Sequence, residues 1–511
     1  MKHIRLTLAA LAVATTSTDV QAADKWWLEP PADGYWHTGA NWGGLPAGSP
    51  TAANSVSITR TRETAPVQIL AGEACVVKSL ALSESNVGTQ YCGHLQIAGA
   101  MTNSDFLTVG NAWNGLLRIV DGGSAVVTNG PVTVGAGAAI RGAVVMTNSW
   151  LGASYLRIGD SGTGCLFQVG GTVTTPGSLT LAYAAGSGGA YTNRGGYLGV
   201  GHVFYCGNRG FGEYVQVGGT NALANWLSVG QETNSIGRYL LQAGWVSEAA
   251  NQTLRIGKFG EGSLLFQGGT ISMATGSKLV VREAESGSGM LRGWGHFAVA
   301  DTTPVVVNNG LIIADGGGAA NDLNLTDFIY ATNALANGAN GTNGWYAVNK
   351  GRLRYPRAWL SPALPERGQG TAPFEANNEL VNSIRLSFTG IASEGYLRGE
   401  LYATDRDDIP AGVPSHNNGK IIGVWRLPMT VSFGSVRLRV RIDRTAVHPT
   451  DGVRLYRCDN AGQWSVVGTT GGTSEAVSTA APLSPLSAQN GYLGWFAVVA
   501  FPNTGTLIRV N

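Results

Sequence analysis

The side chains best suited to chemistry in this sequence are few and scattered. Asp405, Asp407 and Asp408, in ATDRDDIPAG, set three carboxylates close together, and oxygen-rich loops of that kind suit calcium. Their spacing lacks a full calcium-loop pattern, and Asp is also an ordinary turn residue. GDSG at 159–162 has the form of a serine-nucleophile loop, but another repeat reads GKFG at the same place. Repeat geometry therefore accounts for it, and no His and Asp accompany it in a matching context. Cleavage of a glycosidic bond would need two carboxylates about 5–9.5 Å apart. Between residues 100 and 280 the acids are Asp105, Asp121, Asp160, Glu213, Glu232, Glu248 and Glu261, with no local cluster. Glu213 and Arg238 share a repeat phase and form a candidate cross-coil pair. H-E-x-x-H, Walker A and G-x-S-x-G motifs are absent from the sequence.

Residues suited to binding form two groups. Trp26, Trp27, Trp36 and Trp42 stand among Gly and Pro near the start. Trp36 and Trp42 are candidate stacking platforms for glycans; the competing reading makes this segment a cap over the open end of a repeat array. Arg437, Arg439 and Arg441 alternate with Val436, Leu438, Val440 and Ile442. On a strand this gives a one-sided basic stripe, either a contact for anionic glycans or a solvated face. Five cysteines are present. Cys75 and Cys92 flank an expected turn and are the candidate disulfide. Cys165 and Cys206 follow Gly159 and Gly201 at similar phase, which would place them on neighbouring coils; small buried hydrophobes are the alternative. An odd count leaves one thiol free or intermolecular, and without C-x-x-C no zinc or redox motif is suggested.

These residues must be positioned by a repeat spanning roughly 106–281. One phrase reads Leu107-Thr108-Val109-Gly110, Val132-Thr133-Val134-Gly135 and Leu156-Arg157-Ile158-Gly159. It returns as Leu198-Gly199-Val200-Gly201, Leu227-Ser228-Val229-Gly230 and Leu254-Arg255-Ile256-Gly257. A second phrase keeps a fixed phase: Gly122-Gly123, Gly170-Gly171, Gly218-Gly219, Ala243-Gly244, Gly268-Gly269. Spacings near ~25 residues, or twice that, are those of a solenoid. The units are β-rich and turn-punctuated, so each reads as one coil of a right-handed parallel β-helix, stacked because a single coil cannot bury its own apolar face. Alternation sends Leu107 and Val109 inward and Thr108 outward. The closing Gly suits a corner, and Gly201, Gly230 and Gly257 are expected in one column. A second register is ambiguous. Continuing from Leu166 and Tyr214, it buries Gln168 and Gln216; a one-residue slip buries Phe167, Val169, Val215 and Val217 instead.

The repeats LRIGDSGTGCLFQVGGTVTT and LRIGKFGEGSLLFQGGTIS, with the lead-in GYWHTGANWGGLP, resemble bacterial autotransporter passengers and PEP-CTERM-associated surface proteins over roughly residues 24–320. The resemblance implies a surface β-solenoid whose Trp-rich lead-in precedes the first coils. The sequence departs from those families in two ways. Residues 377–511 are too few for a twelve-stranded translocator barrel ending in an aromatic residue, and a Pro-Glu-Pro sorting signal with membrane helix and basic tail is not seen.

Composition agrees with an extracellular scaffold. The 511 residues include 74 Gly; 13% are charged and 44% hydrophobic, with net charge +2. The chain can bury a core, and its charge makes no case for nucleic acid. Lys2, His3 and Arg5, the apolar run 6–14 and Val20-Gln21-Ala22 have the form of a secretory signal peptide. No later run reaches the ~20 apolar residues of a membrane helix. The expected organisation is a signal peptide at 1–22, a Trp-rich cap at 23–60, β-helix repeats at 61–350, a Pro-containing linker at 351–376 and an antiparallel β-sandwich at 377–511. Strands of the last are expected at 384–388, 396–402, 421–427, 436–442, 453–457, 464–467 and 494–501. The function expected is a secreted or outer-surface structural or adhesive protein with no catalytic activity and no cofactor beyond the calcium candidates. Its expected partners are extracellular polysaccharide or cell-surface components. The alternative is a polysaccharide lyase or glycoside hydrolase on a parallel β-helix.

Overall fold

Alternating apolar side chains make a strand that hides one face, and glycine at fixed intervals lets the chain turn and hide the next. The computed structural model, in which this pattern closes into a parallel β-solenoid of about ten coils, describes residues 24–28, 33–44, 48–59, 66–82, 93–284, 286–300, 305–316, 321–325, 330–332, 345–350, 352–354, 358–360, 384–391, 395–397, 400–402, 409–414, 419–427, 429, 432–442, 447–474, 476–486 and 493–502. Each regular coil contributes three strands, one to each of three parallel sheets, here called faces A, B and C. Face A stacks Arg141–Thr147, Thr163–Val169, Gly188–Asn193, Phe211–Gln216 and Ile236–Leu241 in register. Face B stacks Thr172–Thr175, Tyr197–Val200, Thr220–Leu223 and Trp245–Glu248. Face C stacks Leu179–Leu181, Phe204–Cys206, Leu227–Val229 and Thr253–Ile256.

The inward columns form one continuous core. On face C they run Leu156, Leu179, Phe204, Leu227, Leu254 and Leu279, all buried. Corners close on left-handed backbone. Gly110, Gly135, Gly159, Gly207, Gly230 and Gly257 follow face C with φ between +70° and +77°. Ala182 and Arg282 hold equivalent corners at +58° and +61°. A Cβ on Gly257 would fall 1.9 Å from the Ser288 carbonyl oxygen, so close rung stacking also demands glycine there. Gly230 and Gly257 do share this column, but Gly201 does not. The phrase Leu198-Gly199-Val200-Gly201 belongs to face B, paired with 172–175 and 220–223. Faces B and C carry the same apolar–small–apolar rhythm, so the phrase alone does not tell them apart. Cys165 and Cys206 consequently lie on different faces, A and C, and Cys206 is buried.

Face A resolves the register. Gln168 and Gln216 point into the core at 0% exposure, in line with Ile119, Met146, Asn193, Leu241 and Phe266. Burying an amide without partners costs several kcal/mol, so this register requires a network. Tyr191 Oη donates to Gln168 Oε1 at 2.6 Å, and Tyr239 Oη to Gln216 Oε1 at 2.9 Å. Asn221, inward from face B, donates to Gln216 Oε1 at 2.8 Å and to Tyr239 Oη at 2.7 Å, and accepts from Tyr214 Oη at 2.9 Å and Asn193 Nδ2 at 3.2 Å. The Tyr214 ring lies between those of Tyr191, edge to face at 5.0 Å between centroids, and Tyr239, tilted at 4.8 Å.

At the N-terminal end, Lys25–Trp27 pairs antiparallel with Trp42–Gly43 and parallel with the first face C strand, Ser55–Ile58. Trp27, Trp36 and Trp42 pack edge to face over the end of the core, at 5.0 and 4.7 Å between centroids. At the other end, the face B strand Arg352–Arg354 pairs antiparallel with Glu400–Tyr402. The solenoid sheet thereby continues into an antiparallel sheet through Lys420–Arg426, Trp495–Phe501, Gly452–Cys458 and Trp464–Gly471. The expected linker thus begins with a solenoid rung, and 361–376 lie outside the described residues. A second sheet, Ile384–Ile391, Phe433–Arg441 and Ala476–Ser478, packs Leu386, Leu438 and Val440 into the common core. The junction is polar. Arg352 donates to Asp322 Oδ2 from Nε at 2.8 Å and to Tyr402 Oη at 2.6 Å, and Tyr402 donates to Glu400 at 2.7 Å.

Candidate binding face

The outward residues of face B form a column that the parallel register aligns one above another: Ser124, Trp150, Thr172, Tyr197, Thr220, Trp245 and Thr270. From Trp150 onward, aromatic and threonine residues alternate rung by rung. Trp150, Tyr197 and Trp245 are 49%, 41% and 44% exposed, far more than rings in a core. Two residues along each strand runs a second outward column of small residues: Gly152, Thr174, Gly199, Ala222 and Ser247. This makes a shallow floor, bordered by the corner residues Pro176, Gly201 and Ala249.

The rings lean over that floor. A Cβ on Gly199 would meet Tyr197 Cε1 at 2.9 Å, so the ring occupies space a larger residue would take. Trp150 Nε1 donates to Thr174 Oγ1 at 3.3 Å, reaching the small column on the next rung. The buried network fixes the backbone beneath. Gln168 Nε2 donates to the Tyr197 carbonyl, and Gln216 Nε2 to the Trp245 carbonyl, both at 3.2 Å. The two buried glutamines therefore hold the two strand starts that carry the second and third aromatic side chains. None of the candidate residues of the sequence lies in this column. Its signal was the position after each Gly-Gly or Ala-Gly turn, where Thr172, Thr220, Trp245 and Thr270 stand.

Beneath the floor, Glu248 is inward, between Leu223 and Met273 in its column, and 2% exposed. Burial pushes its carboxyl up to about 8 from an ordinary 4.5. The Leu227 N–H and the Arg255 guanidinium oppose that shift, yet neither carboxylate oxygen has a hydrogen-bond partner of ordinary geometry. Arg255 instead lies over the Trp226 ring, 4.4 Å from its centroid, and pairs with Glu283 at 2.8 Å. The same burial raises the Tyr191, Tyr214 and Tyr239 hydroxyls, which stay neutral donors.

The sequence-selected residues fall elsewhere. Trp36 and Trp42 are 0% and 4% exposed, with Trp42 Nε1 donating to the Trp36 carbonyl at 2.7 Å. Their rings face the cap's interior, so neither offers a face to a sugar. Arg437 and Arg439 are exposed and Arg441 half-buried on the outer side of the second sheet, as the alternation predicts. Asp405, Asp407 and Asp408 lie outside the described residues, as do Cys92 and the leader at 1–22. Cys75 is buried, and as a thiol it is pushed up to about 12 by burial, then by Glu73. Glu213 and Arg238 are adjacent on face A, where the Arg238 guanidinium lies over the Phe211 ring. Asp160 pairs with Arg157 at 3.3 Å in its corner. Among the described residues, no group of three or more His, Cys, Asp or Glu could hold a metal ion, and no helix is long and apolar enough to cross a membrane.

No protein-family model, curated protein or solved structure matches this chain.

Proposed function

We propose that this chain is a secreted or surface-displayed scaffold, structural or adhesive, that works by presenting a face and has no catalytic activity of its own. The observation that carries this reading is the face B strip: regular in register and uncharged from Trp150 to Thr270. A polar network dedicated to holding its strand starts is what a binding surface needs, because affinity depends on groups ordered in advance. The leader-like start, the 74 Gly and the low charge of the sequence support display outside the cell. The repeat resemblance to autotransporter passengers and PEP-CTERM-associated proteins supports the same placement. Arg437 and Arg439, exposed on the second sheet, give a basic patch suited to an anionic cell surface.

Binding and turnover separate this reading from a lyase or hydrolase. The protein is incubated with a panel of polysaccharides, and both retained protein and released reducing or unsaturated ends are measured. Retention without release is expected. Reproducible depolymerisation, abolished by changing one acid such as Glu213 or Asp160, would overturn it.

A further inference from the structure

We propose that the face B strip binds a linear, uncharged polysaccharide of equatorially linked hexopyranoses, lying along the solenoid axis with one disaccharide for every two rungs. The proposal rests on the scaffold reading above and names its ligand.

The spacing is the first argument. Parallel rungs stand about 4.8 Å apart, so Trp150, Tyr197 and Trp245, on every second rung, recur at about 9.6 Å. That is close to the length of two hexopyranose units in an extended, equatorially linked chain. In such a chain successive sugars are flipped, so the same face returns at every second unit. A ladder of aromatic rings at a disaccharide interval therefore meets the same apolar C–H face each time. An α-1,4-linked glucan, axial at one end of each linkage and equatorial at the other, coils and would leave that interval.

The alternation is the second argument. A pyranose has an apolar face and a rim of hydroxyls. Indole and phenol rings match the face, and their own polar atoms match the rim. Thr172 and Thr220, on the intervening rungs, put a hydroxyl beneath the intervening sugar, which presents its opposite face there and carries its rim hydroxyls to either side. Beside them Ala222 and Ser247 keep the floor low, and the Tyr197 ring lies over Gly199.

Charge is the third. Neither column carries an ionisable group between Trp150 and Trp245 other than the Tyr197 phenol. A uronic-acid polymer would lose hydration of its carboxylates there and gain no cation in return. The strip therefore suits a neutral glycan.

The test uses the full chain and four probes: cellohexaose and chitohexaose, both equatorially linked, α-1,4-linked maltohexaose, and polygalacturonate. Binding is followed by calorimetry and by tryptophan fluorescence. Binding to one or both equatorial hexamers, over maltohexaose and polygalacturonate, is expected. Trp150→Ala, Tyr197→Ala or Trp245→Ala should each weaken it roughly fivefold to tenfold, as for an exposed anchor, and the triple variant should abolish it. Tyr197→Thr combined with Thr220→Tyr keeps the composition and breaks the interval; it should lose as much as Tyr197→Ala. These side chains are exposed, so folding is checked simply by an unchanged thermal midpoint. Equal hexamer binding by the wild type and the triple variant overturns the proposal while leaving the scaffold reading intact. So does preference for polygalacturonate, or failure to bind either equatorial hexamer. Self-association of the free protein that the triple variant abolishes, without hexamer binding, assigns the strip to a second copy and also overturns it. Hexamer cleavage with binding still lost in the triple variant supports the ladder and overturns the scaffold reading instead.

Discussion

Replacing Glu248 by Gln should change how the solenoid's stability depends on pH, and the sign follows from the burial of its carboxyl. The folded protein holds this proton up to about pH 8, whereas the unfolded chain releases it near 4.5. Between those values the folded state binds the extra proton, so stability is fullest below 4.5 and falls as pH rises. The slope approaches a tenfold change in the folding constant per pH unit, so the loss between pH 5 and 8 is on the order of a few kcal/mol. The amide of Glu248→Gln keeps the shape of the protonated acid and carries no titration. The variant should equal or trail the wild type at pH 5 and exceed it at pH 8. A solenoid opens in local units, so the suitable assay is amide hydrogen exchange over residues 223–273. Comparison of variant with wild type at each pH cancels the intrinsic exchange rates. A difference that stays constant from pH 5 to 8 would refute the reasoning. It would mean that Glu248 is ionised in the folded state and satisfied by Arg255 and the Leu227 N–H.

Gln216→Leu fits the column, since the next rung has Leu241 there. It should nevertheless destabilise by about 1–3 kcal/mol for each polar group left without a partner, with exchange protection lost around Asn221, Tyr239 and Trp245. Ala182→Gly should stabilise by about 0.5–1 kcal/mol in denaturant unfolding, because Ala182 sits at φ +58° where its stacked neighbours are glycine; Gly257→Ala should destabilise by more than that, because its Cβ would also meet the Ser288 carbonyl oxygen. Trp36→Ala should cost about 3–5 kcal/mol, confined to the N-terminal cap and the first rungs, and should appear as early proteolysis there. Arg352→Met should remove a donor to the Tyr402 hydroxyl and weaken the pairing of Asp322, which keeps Arg354, at a cost of about 1–3 kcal/mol, and limited proteolysis should then release the C-terminal sheets from the solenoid more readily.

The sequence by itself determined the architecture. A period near 25 residues, alternation of Leu, Val and Ile, and glycine after each short run leave little choice but stacked coils, because every coil must hide the same apolar columns. The strands of the C-terminal sheets were legible for the same local reason, and so was the outward stripe of Arg437 and Arg439. Tertiary structure alone decided which face each phrase occupies. Leu198-Gly199-Val200-Gly201 reads like a face C phrase and lies on face B, since both faces demand inward apolar residues at every second position. It also decided the register of Gln168 and Gln216. Locally the slipped register is as apolar, and the choice is made by Tyr191, Asn221 and Tyr239, which arrive from other rungs and another face to satisfy the amides. The aromatic strip was invisible for a related reason. Trp150, Tyr197 and Trp245 stand 47 and 48 residues apart, and only stacking of the coils brings them into one line at a chemically meaningful interval.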